Sequence, residues 1–295
     1  MHKPVVQPFF HTRTGTFSYV VHDARTGYCC IIDPVLDFDL SRGVTDLGAA
    51  REIVAYVVRN QLRVAWLLET HVHADHLCAV VELKKLLGGQ TAIGSGVHEV
   101  YRAISRVLGL AQEMPPSCFD RFVQEGDELE LGTMSIRVLA TPGHTPSCMT
   151  YLVADAAFVG DTLFMPDLGT ARCDFPGASA GRLYDSIQRL LALPGDCRLF
   201  VGHDYPPETR ASRAYATAAE QRACNIHVAS RSRADFVRLR RARDESLQTP
   251  QLMIAALQVN VCGGRFPPSR DNGFSYISIP VDALNALLRA DQGPQ

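Results

Sequence analysis

Between residues 69 and 76 the chain reads Glu-Thr-His-Val-His-Ala-Asp-His, so three of its ten histidines and a carboxylate fall within six positions. Imidazole and carboxylate are the ligands that zinc and non-haem iron favour, and a His-x-His pair on a loop after a strand can aim two rings at one point. A lone histidine, or a random pair two residues apart, is more often a core or surface group. Four metal-capable side chains in the order H-x-H-x-D-H, namely His71, His73, Asp75 and His76, predict a metal site.

The elements that must position these groups follow from periodicity. Residues 46–60 (DLGAAREIVAYVVRN) have helical apolar spacing, and 62–70 (LRVAWLLET) reads as a buried strand that ends at the histidine cluster. Upstream, TFSYVV (16–21) and CCII (29–32) flank the turn-rich HDARTG as a hairpin, and DPVLDFD breaks the pattern at Asp33 and Pro34. Downstream, 76–89 reads as a helix closed by Gly88, TAIGS as a short strand and VHEVYRAISRVLG as a helix. A strand-rich block follows (DELELG, TMSIRVLATPGH, SCMTYLVAD, AAFVGD), then a helix over 181–193 and a strand over 197–203. His71, Asp161 and His203 each follow a strand, and His144 follows VLATPG in the same manner. One sheet rim can therefore gather groups that are distant in sequence.

The 295 residues are 46% hydrophobic and 20% charged with a formal net charge of -2, a balance that suits a chain with a large core. It offers no electrostatic reason to expect nucleic acid or an anionic membrane as partner. MHKPVVQPFF lacks an apolar core of signal-peptide length and no apolar run approaches a membrane span, so a cytoplasmic location is expected. Nine cysteines without CxxC spacing, at 29, 30, 78, 118, 148, 173, 197, 224 and 262, read as free and mostly buried thiols. Composition shifts near 204, and 206–295 reads as an extension packed on a single domain spanning 1–295. Its Arg-rich run (231, 233, 238, 240, 241 and 243) reads as a solvated helix face. The Gly-Gly pairs at 88–89 and 263–264 read as turns.

The cluster, together with His144 in TPGHTPSC, Asp161 in GDTLF and His203 in GHDYPP, resembles the metallo-β-lactamase superfamily over about residues 15–210. That resemblance implies an α/β fold, an αββα sandwich of two mixed β-sheets flanked by helices, with metal at their shared rim. It leaves the reaction open. In a dinuclear hydrolase, His71, His73 and His144 would hold one Zn(II), Asp75, His76 and His203 the other, and Asp161 would bridge them. In a mononuclear Fe(II) enzyme, two histidines and one carboxylate would leave positions free for substrate and oxygen.

The segment from Gly160 to Gly177, with LPGDCRLFVGHDYPP and ALQVNVCGGRFPPSRDNGFSYISIP, resembles the persulfide dioxygenases, especially their bacterial β-lactamase-like hydrolase branch. By that resemblance His71, His144 and Asp161 would hold one Fe(II), with His73, Asp75, His76 and His203 around it or in a second site. The expected substrate is glutathione persulfide with O2, and the expected assembly is a homodimer. Arg172 matches an arginine of the family and would hold a substrate carboxylate or order its loop. Asp174 could orient Arg172, Tyr205 could offer a hydroxyl, and Cys173 is a candidate reactive thiol for which burial is the plainer account. The rivals are a zinc thioesterase of glyoxalase II type and a noncatalytic metal or sulfide sensor.

Overall fold

The computed structural model describes residues 2–283. The first half runs β1 (Val5–His11), β2 (Thr16–His22), β3 (Tyr28–Ile32), β4 (Val35–Asp39), β5 (Val44–Asp46), α1 (Gly48–Arg59), β6 (Arg63–Leu68), β7 (Leu77–Cys78), α2 (Val80–Leu87), β8 (Gln90–Gly94), α3 (Val97–Leu108) and β9 (Arg121–Val123). Its main sheet has the order β1-β2-β3-β6-β8-β9. β1 to β3 form an antiparallel meander, and β3, β6, β8 and β9 run parallel. Parallel strands are covered on both faces, which is why CCII and WLL are continuous apolar runs rather than alternating ones. α1 and α2 cover one face through Ile53, Val57, Val80 and Leu83.

The second half runs β10 (Glu128–Leu131), β11 (Met134–Ala140), β12 (Met149–Val153), β13 (Ala156–Gly160), α4 (Ala180–Leu191), β14 (Arg198–Val201), β15 (Tyr215–Thr217), α5 (Ala218–Cys224), α6 (Arg233–Asp244) and α7 (Met253–Asn260). Strands β10 to β15 form a second mixed sheet in sequential order. The two sheets face each other across an aromatic layer. Tyr19 of β2 lies 5.1 Å from Phe158 of β13 and 5.4 Å from Phe200 of β14, centroid to centroid. Its hydroxyl donates to the Val201 carbonyl at 2.6 Å, so its one polar atom crosses the interface and is satisfied. At the rim the sheets also touch through backbone, with Phe17 N–H donating to Gly202 O at 2.8 Å. α4 caps itself, because the Ser179 side chain accepts from Arg182 N–H at 3.3 Å. Gly143 lets α4 approach the loop before His144, since a Cβ there would sit 2.3 Å from Leu183 backbone atoms. This is the αββα sandwich that the motifs imply.

Several expectations need correction. Asp33 and Pro34 interrupt the strand run, with Asp33 at φ 50°, but VLDFD resumes as β4 and pairs with both β5 and β7. The segment after His76 first forms β7, and its helix begins only at Val80. No strand forms over 265–283 among the described residues. VVQPFFH forms the edge strand β1, where Pro8 is tolerated. Cys118 and Cys262 are not free thiols but form a disulfide across 144 positions. Among the remaining cysteines, Cys29, Cys30, Cys78, Cys148 and Cys197 are buried, Cys173 is half-buried and Cys224 is exposed. In the extension α6 lies against α4, and α7 against β7 and α3. Residues 284–295 of that extension lie outside the described residues. No helix among the described residues is long and apolar enough to cross a membrane.

Candidate metal centre

Strand β6 ends at Leu68, and the following loop is held by a single buried carboxylate. Asp33 Oδ1 accepts Thr70 N–H at 2.7 Å, and Asp33 Oδ2 accepts the Thr70 hydroxyl at 2.7 Å. With its proton given to Asp33, Thr70 Oγ1 is left as the acceptor for His71 Nδ1–H at 2.9 Å. The His71 tautomer is thereby fixed, with the Nε2 lone pair directed into the site. His144 is fixed likewise by donating Nδ1–H to the Arg172 carbonyl at 2.7 Å. Asp161 follows β13 directly, and its Oδ2 lies 3.8 Å from His71 Nε2 and 3.7 Å from His144 Nε2. Gly202 must lack a side chain here, because a Cβ would sit 2.5 Å from Asp161 Oδ1.

Donor atoms of His71, His144 and Asp161 all lie within 4.8 Å of one another, and so do those of a second group, His73, Asp75 and His203. The groups adjoin at His203 Nε2, 3.5 Å from Asp161 Oδ1. His76 belongs to neither. Its Nδ1 donates to Leu77 O at 3.0 Å, while its buried Nε2 has no hydrogen-bond partner. Asp161 Oδ1 and His73 Nδ1 are also buried without one. Buried lone pairs converging without donors are costly, and a cation removes that cost, so the residues present fit a metal site. The grouping differs from the dinuclear scheme of the sequence: His73 falls with Asp75 and His203, and also with Asp33 and Glu69, although its ring lies 4.1 Å from that of His71, centroid to centroid.

The two groups differ electrically. Burial lowers the pKa of His71 and His144, helped at His71 by the neighbouring imidazoles, so both are neutral at physiological pH as a ligand requires. At His73 burial acts in the same direction, but Asp33 and Glu69 outweigh it and raise the pKa. Its Nε2 sits 3.2 Å from Asp33 Oδ1 and 3.3 Å from Glu69 Oε2. Burial in turn pushes the Glu69 carboxyl up to about 7. Burial opposes ionisation of Asp75, yet His203, His76 and His73 together hold it down at about 2. His73 is thus engaged through Nε2 by the Asp33 and Glu69 carboxyls.

A cleft of about 300 Å³ opens onto all three members of the first group and onto Asp75 and His203 of the second. Phe164, Leu168 and Phe175 line its apolar side, while Arg172, Arg240, Arg243 and Tyr205 line its polar side. Arg172 is already committed, with Nε and a terminal nitrogen each 2.6 Å from an Asp174 carboxylate oxygen and another nitrogen donating to Gln248 O at 2.8 Å. This geometry orders the loop rather than leaving the guanidinium free for a ligand. Tyr205 is half exposed and stacks on His203 with centroids 5.6 Å apart. Burial, then Asp244, pushes the Cys173 thiol well above its usual value.

The Arg-rich run is not uniformly solvated. Arg233 and Arg238 are exposed and paired with Asp185 and Asp235, but Arg240 is buried between Asp244 and the Thr170 carbonyl. Arg243 lies at the cleft and makes no ion pair among the described residues. Sequence reasoning missed Thr70, Glu69, the Asp33 anchor and Asn260, whose side chain reaches the histidine loop from α7. Asp33 had a signal in the IIDP that ends a strand. Asn260 had none, because its role depends on contacts across more than 180 positions.

A family model described as the metallo-beta-lactamase superfamily matches residues 11–203. A probable metallo-hydrolase of Burkholderia pseudomallei is 47% identical over 95% of this chain and 99% of its own length. A beta-lactamase hydrolase-like protein of Agrobacterium fabrum is 48% identical over 95% of this chain, which spans only 65% of that longer protein. The mitochondrial persulfide dioxygenase ETHE1 of Bos taurus is 30% identical over 90% of this chain and 91% of its own. Among solved structures, ETHE1 from Myxococcus xanthus superposes with a TM-score of 0.72 at 29% identity, covering 88% of this chain and all of that one. With two facing sheets, donors converging at their rim, and these matches, the chain belongs to the metallo-β-lactamase superfamily and has the build of a metal-dependent enzyme.

Proposed function

We propose that the chain is a mononuclear Fe(II) persulfide dioxygenase that converts glutathione persulfide, O2 and water into sulfite and glutathione. The observation that carries this reading is the division of the donors: two neutral imidazoles and one carboxylate form a closed triad without His73. A triad of that composition suits non-haem iron, which when bound would supply one-electron chemistry toward oxygen and attract a persulfide anion. The similarity to ETHE1 proteins supports the same reading.

The chain's own residues supply the rest. Thr70 and Asp33 keep the His71 proton on Nδ1, and the Arg172 carbonyl does the same for His144. Phe164, Leu168 and Phe175 keep water from one side of the cleft. Arg243 at the cleft would take a carboxylate of the tripeptide, while Arg172 holds the loop.

A second reading, a dinuclear zinc thioester hydrolase, is favoured by the second donor group and by the printed names of the relatives at 47% and 48% identity. Metal content separates them. One iron per chain with oxygen uptake on glutathione persulfide supports the dioxygenase; two zinc ions with rapid thioester hydrolysis and no uptake overturns it.

A further inference from the structure

The loop that carries His73, Asp75 and His76 is gripped from behind by one residue of α7. Asn260 is 2% exposed, and its side-chain amide donates to His73 O at 2.9 Å and to His76 O at 2.6 Å. Its carbonyl oxygen accepts Cys78 N–H at 2.8 Å. One side chain therefore satisfies three buried backbone groups across the ligand loop, with both amide hydrogens and the oxygen in use. An aspartate of the same shape would turn oxygens toward two carbonyls, so shape alone cannot replace it.

The position of Asn260 is set just beyond it. Cys262, two residues on, is bonded to Cys118, in the loop between α3 and β9. The turn that follows is packed so closely that a Cβ on Gly263 would meet Cys118 O at 2.9 Å and one on Gly264 would meet Cys78 O at 2.5 Å. Cys118 is buried, whereas Cys262 is half-buried.

We propose that Asn260 is a positioning residue that holds the 73–78 loop in ligating register, and that the Cys118–Cys262 disulfide keeps Asn260 in place. Reduction of this bond therefore loosens the donor set. Two equivalents of a small thiol cleave it: the first forms a mixed disulfide at Cys262 and frees Cys118, and the second releases Cys262 and leaves as the small-molecule disulfide. The protein gains two electrons and two protons. The coupling holds for either reaction proposed above: with two metals the loop carries ligands itself, and with one it acts through His71, whose ring packs on that of His73 with centroids 4.1 Å apart.

The test uses the full chain loaded with Co(II), whose visible spectrum reports ligand geometry and which a phosphine does not reduce. Metal loss to a chelator is timed for the wild type, Asn260→Ala, Asn260→Asp and the double variant Cys118→Ser/Cys262→Ser. Asp23→Asn serves as a control for lost stability alone, since Asp23 accepts from Thr26 and Thr133 in a turn at the opposite end of β2. Both Asn260 variants are expected to lose Co(II) at least tenfold faster with an altered visible spectrum, and Asp23→Asn to melt lower with spectrum and loss rate unchanged. A water-soluble phosphine is expected to speed metal loss several-fold from the wild type and to leave the double variant, already fast, unaffected. A wild-type spectrum and loss rate in a folded Asn260→Ala protein overturns the positioning role. Should the Asn260 variants fail to fold, the wild type decides: equal loss rates before and after thiol titration shows the bond reduced overturns the coupling.

Discussion

The two donor groups lie side by side yet are built differently. In the first, each histidine gives its Nδ1 proton to a neutral oxygen fixed by the fold, Thr70 Oγ1 or Arg172 O, and burial keeps both rings uncharged. In the second, His73 is pressed between Asp33 and Glu69, Asp75 is partly open to solvent, and His203 Nδ1 has only a 3.4 Å contact with Thr16. A site is ready for metal when its rings are neutral and aimed before the ion arrives, and both rings of the first group meet these conditions.

The largest effect is expected at the ready group: His144→Ala should abolish bound metal by elemental analysis, and turnover with it. His203→Ala tests the comparison directly. If only the first group is used, one metal per chain remains and turnover falls less than about tenfold, under ~1.4 kcal/mol of barrier. Loss of one of two metals and collapse of activity would reverse the assignment. Thr70→Val removes the acceptor that fixes His71 and should weaken metal binding roughly 10- to 100-fold in a competition titration. Arg243→Ala should raise KM for a glutathione-based substrate by roughly tenfold while leaving kcat nearly unchanged.

The smallest effect concerns pH. His227, whose Nδ1 accepts Thr170 N–H at 3.0 Å, is held down to about 4 by burial and then by Arg240 and Arg243. The unfolded chain binds that proton near pH 6.5, the folded chain only near 4, so stability is full above the first value and lost as pH falls toward the second. Melting temperature should decline from pH 7 to pH 5, and His227→Asn should flatten the decline.

Much of this was readable in the chain. Strand ends followed by His71, Asp161 and His203 mark a rim because apolar runs and turn residues are local signals, and H-x-H-x-D-H identifies the chemistry. What local signals cannot carry is pairing across distance. Residues 35–39 become a strand because β7 and β5 offer edges, Cys118 meets Cys262 because α7 returns to the loop before β9, and Arg240 is buried because Asp244 and Thr170 O receive it. The placing of His73 with Asp33 and Glu69 as well as with Asp75 and His203 likewise depends on carboxylates beneath the loop, which no spacing reveals.

The first triad takes His71 from one sheet and His144 and Asp161 from the other, so the gap between sheets sets the bite of the ligands. That gap is filled by Tyr19 against Phe158 and Phe200, which makes the aromatic layer a spacer gauge for the ion. Trimming Tyr19 to leucine, outside the lining of the cleft, should let the jaws settle closer together and be felt as a change in which metal the protein prefers.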